Sequence, residues 1–178
     1  SENIMKEITN AETALLGLLA EKPMHAYKIE QEVQYRDMRF WTELSMSSIY
    51  KLLRKLEKKG FVIRKDVITE ENRLKKQYSV SDEGFEILHR KLKELLTLPE
   101  HIRWQLDIGM YYSHMLSDNK TISALQQYPV KKKKKIAEYR ELRSFLENSG
   151  CERNRFEVAN RPIFLFLAEI DWVDSYIY

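Results

Sequence analysis

Leucines crowd the first predicted helix. Leu15, Leu16, Leu18 and Leu19 make it strongly apolar, and Asn10 is its expected cap. Glu21-Lys22-Pro23 breaks it, since proline suits the start of the next element. A second helix, His25 to about Arg36, turns Tyr27, Ile29 and Val33 inward and Lys28, Glu30, Gln31 and Glu32 outward. Arg36 to Leu44 is a connector carrying Phe40 and Trp41. A third helix opens on Ser45 and Ser47 as capping hydroxyls and closes at Gly60, a residue suited to the left-handed position after a helix. Ile49, Leu52, Leu53 and Leu56 fall on one of its faces. Ser47, Lys51, Arg54 and Lys58 fall on the other, with Lys55 beside them.

After Gly60 the period becomes strand-like. Phe61 to Val67 is a β-favouring run, Glu70-Glu71-Asn72-Arg73 a polar turn, and Lys75 to Val80 the returning strand. Ser81 caps a further helix to about Leu98, with Phe85, Leu88, Leu92, Leu95 and Leu96 on one side, and Pro99 marks a boundary. Helix, hairpin, helix is the order of a winged helix-turn-helix, in which the helix before the hairpin enters the major groove.

From residue 100 onward every segment reads as helix. Glu100 to Leu116 is apolar over much of its circumference, and Ser117-Asp118-Asn119 is a turn. Thr121 to Asn148 is kinked or split at Pro129 and turns Ile136, Tyr139, Leu142, Phe145 and Leu146 inward. Ser149-Gly150 ends it. The last helix repeats Phe156, Ala159, Ile163, Phe166, Leu167, Ile170, Val173 and Ile177 at three- and four-residue steps, kinked at Pro162 or begun afresh at Asn160. Three helices of this kind carry more apolar surface than they can hide alone, which marks a partner site.

Charge sharpens the picture at one place. The chain of 178 residues has a formal net charge of +3, yet residues 45–76 hold ten Lys/Arg against four acids. Basic charge concentrated around one helix and one hairpin is a nucleic-acid footprint. In the third helix Ser47, Ser48, Tyr50 and Lys51 occupy the first turns, where base edges are met. Arg54, Lys55 and Lys58 lie further along, toward phosphate. Arg73, Lys75 and Lys76 belong to the wing, where lysine also protects a sheet edge. The plainer reading of each is a solvated charged face, and Tyr50 could pack beside Ile49 and Leu53.

Other features exclude alternatives. No apolar run approaches the roughly 20 residues that span a bilayer. No basic segment precedes the apolar part of the N-terminus, so a signal peptide is not expected. The lone Cys151 excludes an internal disulfide and fits a reducing cytoplasm. His25, His89, His101 and His114 have no metal-ligand spacing, so neither a metal nor another cofactor is expected. With no phosphate loop and no nucleophile–base constellation, the chain does not read as an enzyme. Lys131 to Lys135 point all round a helix and are expected to be mostly solvated.

Three stretches resemble the PadR family of transcriptional regulators. Leu15 to Tyr27, with Pro23 and then His25-Ala26-Tyr27, resembles the family's leucine-rich opening and His-Gly-Tyr. Ser48-Ile49-Tyr50 to Leu56-Glu57 and Gly60 resembles its recognition helix. Arg73 to Gly84, with Tyr78-Ser79-Val80-Ser81, resembles its wing and the start of the following helix. Ala26 stands where the family usually has Gly, and Lys51 where it usually has Pro. The resemblance covers about the first half of the chain. It implies a mainly α protein: a winged helix-turn-helix DNA-binding domain with a two-stranded wing over 1–98, then an all-helical dimerisation domain over 99–178.

The implied function is a homodimeric repressor that sits on a palindromic operator and obstructs polymerase; members of the family also include activators. The implied dimer contacts are Trp104, Ile108, Tyr112, Phe166, Ile170, Val173 and Ile177. Some relatives bind planar aromatic compounds at the dimer interface, which makes Trp104, Met110, Tyr111, Tyr112 and Trp172 candidates for a small-effector pocket, beside their plainer reading as packing. The rival from another class is a winged helix that holds protein partners and no longer reads DNA.

Overall fold

In the computed structural model, residues 7–68, 72–100 and 105–178 are described. The chain divides into two units, Ser1–Glu100 and His101–Tyr178. The first is built from helix α1 (Asn10–Glu21), strand β1 (Met24–His25), helix α2 (Ala26–Tyr35), helix α3 (Ile49–Lys59), strands β2 (Val62–Ile68) and β3 (Leu74–Val80), and helix α4 (Asp82–Thr97).

Helix α1 is capped by Thr9, not Asn10. The Thr9 hydroxyl accepts from the Glu12 amide at 3.2 Å while the Glu12 carboxylate accepts from the Thr9 amide at 2.8 Å. A capping box needs an acidic or amide side chain three residues after the cap. Thr9 has Glu12 there, whereas Asn10 would have Thr13. Leu15, Leu16, Leu18 and Leu19 are all buried. In α2, Ile29 and Val33 are buried, but Tyr27 is 68% exposed, contrary to its expected inward position. Tyr27 lies two residues from Ile29, roughly 200° around a helix of 3.6 residues per turn, and so faces away from the core.

The wing is also larger than its two expected strands. β1 adds a third, pairing antiparallel with β3 through Met24↔Tyr78 and His25↔Gln77, so the strand order is β1-β3-β2. The His25 ring nitrogen Nδ1 lies 3.0 Å from the Lys76 carbonyl. β2 and β3 pair in continuous register from Val62↔Val80 to Ile68↔Leu74. Of the expected turn, Glu70 and Glu71 lie outside the described residues, while Asn72 adopts a left-handed backbone with φ 55°.

Two junctions join helix α3, hairpin and α4. Gly60, at φ 84°, ends α3: its amide donates to the Glu57 carbonyl and that of Phe61 to the Leu56 carbonyl, both at 3.0 Å. This pair of bonds is a Schellman motif, and Phe61 and Leu56 share one core. Ser81 then caps α4 by accepting from the Gly84 amide at 3.0 Å, and its hydroxyl donates to the Gly60 carbonyl at 2.6 Å. Gly84 is required here, because a Cβ would lie 2.1 Å from the Phe61 carbonyl oxygen. Ile87 and Leu88 anchor α4 in the core; Leu92, Leu95 and Leu96, further along, are exposed.

The second unit contains helix α5 (Gln105–Tyr111), a 3₁₀ turn at Ser113–Met115, helix α6 (Asp118–Asn148) and helix α7 (Arg153–Ile177). The helix expected over 100–116 thus ends at Tyr111. Ser117 is the residue before α6, which begins at Asp118, so the expected turn at 117–119 is mostly helix. Neither long helix is split: Pro129 lies inside α6 and Pro162 inside α7. The two run antiparallel, since Tyr128 meets Glu169 at one end and Arg143 meets Asn160 nearer the other. Their shared core is Ile136, Ile163 and Ile170, with Tyr139 and Phe166 packed against it. No described helix is long and apolar enough to cross a membrane.

Candidate nucleic-acid interface

Helix α3 separates its two faces cleanly. Ile49, Leu53 and Leu56 are fully buried, and Leu52 packs beside them. Three buried side chains at this spacing fix the helix's rotation, so the opposite side must meet solvent. Tyr50, Lys51, Arg54 and Lys58 are exposed there, and Ser47 is exposed in the preceding 3₁₀ turn at Met46–Ser48. Basic side chains on an exposed helix stripe, with an apolar back holding it rigid, form a surface suited to a line of phosphates.

Two expected members of this surface are otherwise engaged. The Ser48 hydroxyl donates to the Ser45 carbonyl at 2.7 Å and accepts from the Ser45 amide at 3.2 Å, so it closes the first turn. Lys55 turns back along the helix, its Nζ 3.2 Å from the Glu12 carboxylate. Glu12 is wholly buried and also receives Lys59 at 2.9 Å. Burial alone would raise its pKa. The Thr9 amide, Lys59 and Lys55 outweigh that and hold the carboxyl below the usual glutamate value. The sequence signal for this tie was faint: Glu12 is one of two acids in an apolar helix, far along the chain from its partners.

In the wing, Arg73, Lys75 and Lys76 are exposed. Strand alternation sends Lys75 and Lys76 to opposite faces of the hairpin. Lys76 stands opposite Asp66 in the register, and Lys75 opposite Val67. Lys65, exposed on β2 and paired with Gln77, therefore shares the face of Lys75. It was not among the expected contacts, although its position two residues before Val67 carried the signal. Arg64 is drawn to Glu57 of α3, 3.3 Å away, and ties the hairpin to the helix.

The expected dimer contacts fall into three groups. Trp104 lies outside the described residues. Ile108 and Tyr112 are exposed. Ile170 is buried in the core that α6 and α7 share, Val173 is buried, and Phe166 and Ile177 are half-buried. Larger exposed apolar side chains on α7 are Phe164, Trp172 and Tyr176; of these only Trp172 was an expected candidate, for the effector pocket. A shallow open groove on α7 is lined by Asn154, Glu157, Val158, Arg161 and Phe164, none of them an expected effector contact.

The lysine run is not uniformly solvated. Lys132 pairs with Glu169 and lies over the Phe166 ring at 4.3 Å, while Lys131, Lys133, Lys134 and Lys135 are exposed. Among the described residues no group of His, Cys, Asp and Glu is arranged to hold a metal.

Known proteins share this fold. Residues 15–90 match the model of the "Transcriptional regulator PadR-like family". The negative transcriptional regulator PadR of Bacillus subtilis (strain 168) is 26% identical over 125 residues, covering 70% of this chain and 68% of that protein. The crystal structure of Bacillus subtilis PadR in complex with operator DNA superposes with a TM-score of 0.74 at 23% identity, over 93% of this chain and 96% of that one. The same regulator in complex with p-coumaric acid gives a TM-score of 0.75 at 22% identity, over 95% and 97%.

Proposed function

From the match of residues 15–90 to the PadR-like family of transcriptional regulators, we propose that the chain is a regulator of that family, a repressor binding a palindromic operator as a homodimer in the cytoplasm. The first unit reads the DNA and the second holds the dimer. One observation carries the reading: Lys51, Arg54 and Lys58 form an exposed stripe on a helix whose opposite face is fully buried. Ser47, Tyr50 and Lys51 meet base edges, Arg54 and Lys58 meet phosphate, and Arg73, Lys75 and Lys65 of the wing meet the adjoining backbone. A helix so placed repays its electrostatic concentration only against a polyanion.

Dimerisation supplies the reach that one unit lacks. Two recognition helices one duplex turn apart read both halves of a palindrome. We assign the dimer contact to exposed side chains of the second unit, Ile108, Tyr112, Phe164, Trp172 and Tyr176; Ile170 is already part of the core between α6 and α7, and Val173 is buried. Release by a small aromatic effector fits the same family, through a changed spacing of the recognition helices, and the p-coumaric acid complex of the Bacillus subtilis regulator makes phenolic acids the first compounds to try.

The decisive experiment is a DNA titration with the region upstream of the chain's own gene and a scrambled control, at several salt concentrations. Tight binding to the first alone, with a steep salt slope, is expected. Equal, weak binding to both, with and without phenolic acids, would reject operator reading in favour of a protein-interaction module.

A further inference from the structure

Glu12 presents an unusual combination: a carboxylate with no solvent exposure, on the helix behind α3, holding two lysines that belong to α3. Lys59 gives its ammonium to both Glu12 oxygens, at 2.9 and 3.1 Å, and to the Glu7 carbonyl at 2.9 Å. The Lys55 side chain is half-exposed, and its Nζ lies 3.2 Å from the Glu12 carboxylate. A buried carboxylate is costly unless paired and hydrogen-bonded. Both lysines are therefore held in place by the core.

This has a consequence for DNA binding. Each lysine or arginine that reaches a phosphate adds sequence-independent affinity through counterion release. Such affinity is as useful to random DNA as to an operator, and random sites vastly outnumber operators. We infer that Glu12 is a specificity-determining residue: by engaging Lys55 and Lys59 it withholds two charges from the phosphates and leaves Lys51, Arg54 and Lys58 as the helix's phosphate-competent cations. The inference rests on the DNA-binding reading above.

The test is the salt dependence of binding to a random-sequence duplex, measured with the full chain, alongside an operator selected from a random pool. Lys51→Ala is expected to reduce the slope of log affinity against log salt by about 0.9 per protomer. Lys55→Met should leave that slope unchanged. Glu12→Gln should steepen it, tighten random-duplex binding and narrow the operator preference, effects opposite to those of a merely loosened fold. Adding Lys55→Met to Glu12→Gln should then take back about 0.9 of the slope gained. If Glu12→Gln does not fold, the comparison of Lys55→Met with Lys51→Ala decides alone. Loss of as much slope in Lys55→Met as in Lys51→Ala would overturn the assignment while leaving DNA binding intact. A wild-type chain without salt-dependent DNA binding would overturn the DNA-binding reading itself, and this inference with it.

Discussion

Glu12 and Gly84 are the residues where a single change carries the most physical consequence. The Glu12 carboxyl titrates below the ordinary glutamate value, because the Thr9 amide, Lys59 and Lys55 outweigh the effect of burial. A depressed carboxylate stabilises the fold fully above the unfolded value of about 4.3, and that stabilisation is lost as pH falls through the lower folded value. The thermal midpoint of the wild type should therefore drop as pH falls below the unfolded value of about 4.3, and Glu12→Gln should show a shallower drop over the same range. At Gly84 the added methyl of Gly84→Ala meets the Phe61 carbonyl at 2.1 Å, too close without movement of backbone. A loss of about 1–3 kcal/mol is expected in urea unfolding, with an unchanged m-value. Neither contact was legible in the chain: Glu12 reads as one of two acids in a leucine helix, and Gly84 as the glycine that closes the stretch resembling the family's wing, with no sign of the carbonyl that lies against it.

At the scale of the element, α3 and the hairpin behave as the pattern of apolar residues foretold. Ile49, Leu53 and Leu56 went inward, the basic stripe outward, and Gly60 ended the helix in the left-handed region. Lys51→Ala combined with Arg54→Ala should lower the salt slope of DNA binding by about two per protomer, with an unchanged circular dichroism spectrum. An unaltered slope would remove α3 from the interface. β1 escaped the reading because two residues have no period, and their partner strand lies some fifty positions away in the chain. The same limit hid the role of Lys132, which shares a uniform run with four exposed lysines but alone faces Glu169 and Phe166.

For the whole molecule, the question is how the second unit covers its remaining apolar surface. Phe164, Trp172 and Tyr176 stay exposed after α6 and α7 have packed together. Phe164→Asp with Trp172→Asp should convert the dimer to a monomer by light scattering and reduce operator affinity, since one half-site binds alone. A variant that remains dimeric would move the interface elsewhere. Truncation after Pro99 should likewise give a monomer, with its DNA-contacting surface retained and its operator affinity poor.

Local order was within the reach of the sequence, because it depends on neighbours along the chain. The leucine stripe of α1, the period change after Gly60, the Ser81 cap and the helical repeat of α7 each announce themselves within a few residues. So did the cationic stripe, since helical period alone puts Lys51, Arg54 and Lys58 on one side. Tertiary structure decided what depends on residues far apart. It paired Lys55, expected to face phosphate, with a buried carboxylate, put Ile170, expected at the dimer contact, into a core with Ile136 and Ile163, and drew Met24–His25 into a sheet. The physical reason is common to all three. An amphipathic pattern says that a side chain will find a partner away from water, but only packing chooses which partner.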